Sequence, residues 1–362
     1  MAWPVLLLAR ELDLGGSERQ MTEIAKTLDR SRFSPHVGCF RPQGVRHAEL
    51  AALGVPIVHF PVDSFTSLAA LTAAWNLRRY IRRHRIRLVH SFDYPLTLFG
   101  IPVACWSRGA VAVSSQRSHR SLIPRKYRPF VRMTDRLVDG IVVNCEFVRQ
   151  HLRNDEGVPA GRIRLCYNGV DLDEFAPSDT ARDTLAIGVV CALRPEKDVA
   201  TLISAFARLQ HSGLRLLIVG GGSKLGELQS QAQALGVAGQ CTFVPATGQV
   251  AKWLRAIDIF VLPSQSEALS NALLEAMACR CCPVASRVGG NVELIRHGEN
   301  GMLFEAGNTD ELSGILGTLV DLRVLREQLA ARARLTAEQF SMAASTRCME
   351  QIYTELIEAA AP

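Results

Sequence analysis

The 362-residue sequence predicts an α/β fold: two doubly wound parallel-sheet, Rossmann-like domains facing across a cleft. Three observations carry this. Short apolar runs alternate with helix-like stretches, the pattern of right-handed βαβ units around a parallel sheet. The alternation lapses around Val170–Thr184, where Asp, Pro and Ser are enriched, and then restarts. The length is too great for one small module and comfortable for two ordinary domains. Ligands of such sheets bind at the carboxyl ends of the strands, here expected in the cleft between the domains.

The elements follow in order. Val5–Ala9 is a continuous apolar run, as a strand buried on both faces requires. Gly15-Gly16 follows, then an amphipathic stretch from Ser17 to Leu28. Further strands are expected at Ser34–Phe40, Ile57–His59, Leu88–His90, Val111–Ser114 and Gly140–Asn144, with a helix at Leu68–His84. After the lapse, strands are expected at Leu185–Val190, Leu214–Val219, Cys241–Val244, Ile257–Leu262 and Pro283–Ser286. Helices are expected at Ala200–Gln210, Leu225–Leu235, Val250–Ala256 and Asn271–Ala278, and Met342–Ala360 reads as a terminal helix.

Composition narrows the classes. Hydrophobic residues at 48% and charged residues at 21% exclude a disordered chain, a collagen-like fibre and a coiled coil. The longest apolar runs, such as Pro4–Ala9, fall far short of the ~18–20 residues of a membrane-spanning helix. Met1-Ala2-Trp3 offers no basic leader region, so a cytoplasmic protein is expected. The ten cysteines then read as small buried hydrophobes. Cys279, Cys281 and Cys282 form one tight cluster without the second half a zinc site needs, so no metal is expected. Charge is uneven: residues 1–175 hold 25 Lys/Arg against 16 Asp/Glu, and residues 176–362 hold 16 against 19. A basic half beside a mildly acidic one points to a phosphate or anionic surface on one side.

Two windows concentrate chemistry. Leu262–Asn291 carries Glu267 in a loop after a strand and Glu275 within the following helix, about two helical turns apart. Ser270 and Asn271 are natural N-cap residues there, and a helix start favours an anion. A carboxylate accepting paired hydroxyls suits a ribose; two solvated carboxylates flanking an ordinary helix is the plainer alternative. Arg194-Pro195-Glu196-Lys197-Asp198 follows the strand Leu185–Val190 and offers a bidentate fork and a point charge, together suited to a diphosphate.

Five ordered segments resemble retaining glycosyltransferases of family 4, which have the two-domain GT-B architecture. They are Gly15-Gly16-Ser17-Glu18, Val142–Glu146, Tyr167-Asn168-Gly169-Val170-Asp171 with Phe175, Arg194–Lys197, and Ser264–Gly290 with its two glutamates. Gly301 extends the match. The resemblance implies an acceptor-binding domain at 1–175, a nucleotide-sugar domain at 176–340, and a terminal helix at 341–362 crossing back to the first domain. It implies that Arg194 and Lys197 hold the donor diphosphate and stabilise the departing nucleotide. Glu275 would bind the ribose. Glu267 would contact the transferring sugar near the backbone of Ala268, Leu269 and Ser270. Gly16 would approach donor phosphate or acceptor, and Gly220 in the Gly220-Gly221-Gly222 run would border the base and phosphate pocket. Where the family has a catalytic-site histidine, Arg117 falls near its position and His119 lies two residues on; His119 is the candidate. His90 matches a neighbouring family histidine. No protein nucleophile, cofactor or metal is implied, and Asp171-Leu172-Asp173 is read as a decoy of the Asp-x-Asp metal motif.

The sequence departs from the family pattern at Ala268 and Arg280, where glycine is usual, at Pro283, one place late, and at Arg287, where Asp or Asn is common. Residues 117–136 hold seven Lys/Arg against one acid, interleaved with apolar residues, and Arg78, Arg79, Arg82 and Arg83 add a cationic helix face. Arg117, Arg125, Lys126 and Arg128 are therefore candidates for acceptor or membrane contact, with an anionic lipid surface as partner. No nucleic-acid motif is present. The leading expectation is a metal-independent transferase, peripheral on the inner face of the cytoplasmic membrane. It would pass a sugar from a UDP-sugar to a lipid-linked or envelope glycan hydroxyl. The alternative is a degenerate, non-catalytic subunit that binds a partner enzyme or membrane. A dehydrogenase is disfavoured because no Gly-x-Gly-x-x-Gly follows a strand with an acid about 20 residues on.

Overall fold

The structure, a computed structural model, describes residues 2–178 and 184–360. Residues 179–183, within the aperiodic segment expected at the domain boundary, lie outside the described residues. The chain divides into two compact units, Met1–Gly169 with Met342–Pro362, and Val170–Ser341. The division falls at Gly169/Val170 rather than after 175, and the terminal helix belongs to the first unit.

The first unit is a seven-stranded parallel sheet: β1 (Trp3–Glu11), β2 (Phe33–Arg41), β3 (Ile57–His59), β4 (Leu88–Ser91), β5 (Val111–Gln116), β6 (Gly140–Val143) and β7 (Ile163–Leu165). Their spatial order is β3-β2-β1-β4-β5-β6-β7. β1 runs between β2 and β4, pairing Leu7 with Val37 on one side and with His90 on the other. Val5, Leu6, Leu7, Leu8 and Ala9 are accordingly all buried. The terminal helix Met342–Ala359 sets Met349, Ile352, Tyr353 and Leu356 into the same core. Tyr353 reaches inward far enough for its hydroxyl to meet His90 Nδ1 at 2.7 Å.

The second unit is a six-stranded parallel sheet: β8 (Leu185–Val190), β9 (Leu214–Val219), β10 (Cys241–Val244), β11 (Ile259–Leu262), β12 (Cys282–Ser286) and β13 (Met302–Phe304). Its order is β10-β9-β8-β11-β12-β13. Both sheets are doubly wound and parallel throughout, the GT-B architecture. Each reverses its winding once, between β1 and β4 in the first unit and between β8 and β11 in the second. Loops diverge at that point and leave a crevice at the carboxyl ends of the strands. The functional candidates should therefore sit after β1, β4, β8 and β11.

Several elements were not expected from the sequence. The helix Tyr94–Ser107 is apolar nearly all round and contains Pro102, so it carries no amphipathic stripe. β7 and β13 have three residues each, too few for a period-2 pattern. Ile257 precedes β11 rather than opening it.

Candidate active site

In the second unit, β8 ends at Val190 and the chain continues through Leu193 to a single turn at Pro195–Lys197. The backbone here is clamped from β9: Leu193 N–H donates to Gly221 O at 2.9 Å, and Lys224 N–H to Leu193 O at 3.0 Å. The glycine run makes the clamp possible. A Cβ on Gly220 would fall 1.8 Å from Cys191 O, and one on Gly222 would fall 2.3 Å from Leu193 O. Both have positive φ, 146° and 158°, which glycine alone adopts readily. The run thus fixes where the strand-end cations project.

From β11 the loop Pro263–Ser270 turns back over the same strand ends. Gln265 N–H donates to Glu196 O at 2.8 Å, and Gln265 Nε2 to Asp198 Oδ2 at 2.5 Å. Glu267 is brought against Lys197, whose ammonium bonds its Oε1, and Ser264 Oγ donates to the same oxygen at 2.8 Å. The Glu267 carboxylate is 9% exposed. The loop itself is anchored by Ser286 Oγ donating to Ser264 O (2.6 Å) and Gly290 N–H to Ala268 O (2.8 Å). Ala268, Leu269 and Ser270 are buried, and Ser270 caps the helix Asn271–Ala278 by accepting from Leu273 N–H. Glu275 is buried at 5% on that helix. Arg194 is exposed, and its guanidinium has no partner among the described residues. The arrangement presents two cations, one of them held by a buried carboxylate, at the winding reversal of the sheet. That suits an anionic group, with the carboxylate free to accept hydroxyls on its remaining oxygen.

The first unit answers with a different arrangement. Gly15 caps the helix Gly16–Thr27, and the Glu18 side chain folds back over that helix start. Burial pushes the Glu18 carboxyl up from its ordinary value, with the charge of Glu11 adding to the shift. After β4, Asp93 caps the helix Tyr94–Ser107, accepting from Leu96 N–H and Arg10 N–H, each at 3.0 Å. Burial pushes its carboxyl up to about 7. After β5, Arg117 reaches Asn168 Oδ1 and lies over the Phe92 ring. Burial lowers it to about 10. Ser17, Asp93, Ser115 and Arg117 line a cavity of about 110 Å³.

His119 does not line that cavity. It packs against His151 with the rings tilted by 34° and their centroids 3.8 Å apart, and its Nδ1 meets Ser121 Oγ at 2.8 Å. His119, His151 and Asp155 place one potential metal-ligand atom each within 4.8 Å of one another, away from the strand-end cavity. His90 is sealed between Tyr353 and Ser115 Oγ, and burial depresses it to about 3. Asp171 caps its own turn, accepting from Asp173 N–H and Glu174 N–H.

The basic segment 117–136 is less open than its composition suggests. Arg120 is buried in a network with Asp135 (2.7 Å) and Glu156 (3.1 Å), and Arg132 joins Glu156 at 2.6 Å. Arg128 donates to Ile123 O and Ser121 O. Arg125 and Lys126 are exposed without an acidic partner among the described residues. Asp93 and the Arg120 network were not anticipated. The signal for Asp93 was its place just after a strand and three residues before a helical N–H.

Two family models account for most of the chain. Glycosyltransferase Family 4 matches residues 14–174, and glycosyl transferases group 1 matches residues 172–336. The chain belongs to the family 4, group 1 glycosyltransferases. Within this family it is similar to a D-inositol 3-phosphate glycosyltransferase of Rhodococcus opacus (33% identity over 223 residues, 56% of this chain and 50% of the relative). It is also similar to an exopolysaccharide phosphotransferase of Streptomyces coelicolor (30% over 225 residues, 61% of this chain and 24% of the relative). The chain spans about half the length of the D-inositol 3-phosphate glycosyltransferase and less of the second relative. The crystal structure of Anabaena HepE in complex with UDP and glucose shares the fold, with a TM-score of 0.86 at 22% identity over 97% of this chain and 99% of that one.

Proposed function

We propose that the protein is a retaining glycosyltransferase, working without a metal, that moves a sugar from a UDP-sugar to a hydroxyl of a lipid-linked or cell-envelope glycan. The observation that carries this reading is the pairing of Lys197 with buried Glu267 at the winding reversal of the second sheet, beside Arg194, which has no partner among the described residues. Arg194 and Lys197 would take the donor diphosphate and offset the charge that develops on it as the glycosidic bond breaks. Glu267, oriented by Lys197 and Ser264, would accept hydroxyls of the transferring sugar, and Glu275 those of the ribose. Gly220 would act through the backbone, setting the Arg194 loop. Positioning and electrostatics then supply the catalysis, with no protein nucleophile. HepE, which shares the fold, was crystallised with UDP and glucose, which supports a uridine donor.

On the acceptor side we assign the first unit, through Gly16, Arg117 and the exposed Arg125 and Lys126. Three neighbouring helices of that unit, Leu68–Arg83, Tyr94–Ser107 and Arg128–Thr134, leave Leu68, Leu71, Trp75, Trp106, Phe130 and Met133 exposed beside arginines. Arg78 lies 4.2 Å from the Trp106 ring centroid. Apolar and cationic groups on neighbouring helices suit an anionic lipid surface, consistent with a cytoplasmic protein peripheral on the inner face of the membrane. Among the described residues no helix is long and apolar enough to cross a membrane.

The alternative, a non-catalytic subunit, is favoured by one observation: Arg117, not His119, faces the first unit's strand-end cavity. Thermal unfolding against a panel of nucleotide-sugars, without and then with a divalent metal, separates the two. A ligand at 100 times its Kd stabilises by about 2.7 kcal/mol. Stabilisation by a UDP-sugar without metal, lost in Lys197→Ala, is the expected result. No response to any nucleotide-sugar would favour the non-catalytic subunit.

A further inference from the structure

The first unit contains a second and larger recess, of about 500 Å³, within the range of small-ligand pockets. Its walls come from the carboxyl ends of β1 and β2, the segment after β3, the head of the helix Tyr94–Ser107, and Lys126-Tyr127. One wall is aromatic. Tyr94 and Tyr127 have ring centroids 5.8 Å apart, and Phe65 meets Tyr127 edge-on at 6.3 Å. Another is cationic. Arg10 is paired with Glu11, but Arg41 and Lys126 are exposed and have no acidic partner among the described residues, Lys126 Nζ lying 4.9 Å from the Tyr127 ring centroid where the two walls meet. Asp63, Ser64 and Thr66 add hydroxyl-binding groups.

These three chemistries rarely serve one simple ligand. Aromatic faces pack against the C–H face of a pyranose; a carboxylate and hydroxyls take its hydroxyl groups; cations take a phosphate. An apolar membrane patch would need neither the concavity nor Asp63. We infer that this recess binds a sugar bearing a phosphate, with the ring against Tyr94, Tyr127 and Phe65 and the phosphate at Arg41 and Lys126. As the acceptor pocket it rests on the transferase reading above. The same glycosyl phosphate group is offered by a free sugar phosphate and by the headgroup of a prenyl-diphosphate-linked sugar. The second source has apolar surface at hand, because Leu68 and Leu71 are exposed just beyond Thr66.

Calorimetric titration of the full chain tests this. The probes are a panel of hexose 1-phosphates, the parent hexoses, inorganic phosphate, and a short-prenyl diphospho-sugar in micelles. At least one hexose 1-phosphate or the prenyl probe should bind tenfold or more tightly than its hexose or inorganic phosphate alone. Arg41→Gln with Lys126→Gln should weaken that binding at least tenfold, Tyr94→Leu should weaken it severalfold, and UDP affinity should not change. Tighter binding of the prenyl probe assigns the lipid headgroup; equal binding assigns the free sugar phosphate. Inorganic phosphate binding as well as the sugar phosphates, undiminished binding in the double variant, or no binding of any probe overturns the inference. Loss of UDP-sugar binding by the wild-type chain would instead strike the transferase reading.

Discussion

The two sheets reverse their winding in the same way, yet they equip that point oppositely. In the second unit the two carboxylates at that point are held locally: Lys197 and Ser264 bond the same oxygen of Glu267, and Asp198 is held by Thr201 and Gln265, while Arg194 has no partner among the described residues. In the first unit Arg120 is paired with Asp135 and Glu156, but four other buried titratable groups there have no ion-pair partner among the described residues. Asp93 has backbone N–H partners, Glu18 lies over a helix start, Arg117 meets an amide, and His90 meets two hydroxyls. If the second unit takes a diphosphate as proposed, its carboxylate and lysine can be paired in advance. Buried groups held without countercharge keep shifted proton affinities, so the first unit should carry the chain's pH response.

Asp93 gives the largest expected effect. Burial and the nearby Glu18 raise its carboxyl to about 7, against the opposing N–H bonds of Leu96 and Arg10 and the Arg10 charge. The unfolded value is about 3.9. The folded state therefore binds this proton more readily. Its stabilising contribution is complete below about pH 4 and is lost as pH rises through about 7. Asp93→Asn keeps a capping oxygen and removes the slope. Because Asn offers one acceptor where Asp93 takes both Leu96 N–H and Arg10 N–H, the variant should fall about 1 kcal/mol below the wild type near pH 4 by urea unfolding, and gain on it by roughly 1–3 kcal/mol between pH 4 and pH 8. His90, depressed to about 3, acts the other way: its contribution is present above about 6.5 and fades as pH falls. It is common to both proteins and cancels in the difference. Superimposable pH curves would erase the contrast between the units.

The same contrast explains what the sequence could reveal. Lys197, Glu267 and Glu275 come from two contiguous stretches, each spanning a strand end and the next helix start, so local order nearly defines their geometry. The first unit's cavity gathers Ser17 from a helix start and Asp93 and Arg117 from two separate strand ends, and only the fold brings them together. His119 was a fair candidate by position, but two residues of slack let it turn to His151 and Phe147. Basic composition likewise could not tell Arg120, spent on Asp135 and Glu156, from Lys126, which is exposed over the Tyr127 ring without an acidic partner among the described residues. At the fold level, continuous apolar strands announced themselves, whereas the Tyr94–Ser107 helix hid its type because it is apolar all round.

Exposed apolar surface sharpens the comparison at a smaller scale. Leu71 and Trp75 share an exposed face of the helix Leu68–Arg83 in the first unit, next to Arg78 and Arg79. Burying such side chains in a lipid interface is worth about 1 kcal/mol or more each. Leu71→Gln with Trp75→Gln should therefore reduce partition onto vesicles containing anionic lipid by roughly tenfold or more. Leu335, equally exposed in the second unit, serves as the control, and Leu335→Gln should leave partition unchanged. Equal losses at both places would mean that vesicle binding does not distinguish the units.

The smallest effect concerns a departure from the family pattern. The helix Asn271–Ala278 closes with two bonds: Arg280 N–H donates to Met277 O at 3.0 Å, and Cys281 N–H to Ala276 O at 2.9 Å. This 5→2 and 6→1 pairing is a Schellman ending, whose penultimate residue is left-handed and most often glycine. Arg280 holds that place with φ 63°. Its exposed side chain can be removed without opening the core. Ala268, the other replaced glycine, has no positive φ, so its change carries no such cost. Arg280→Gly should raise stability by roughly 0.5–1 kcal/mol in thermal unfolding. UDP-sugar affinity should stay the same, because Arg280 closes the far end of the helix that Ser270 opens. Unchanged affinity with higher stability would make Arg280 a conformational burden outside the donor site. A tighter Kd in the variant would show that the strained ending reaches Glu275, and that the prepaired site of the second unit is less self-contained than the first unit's contrast implies.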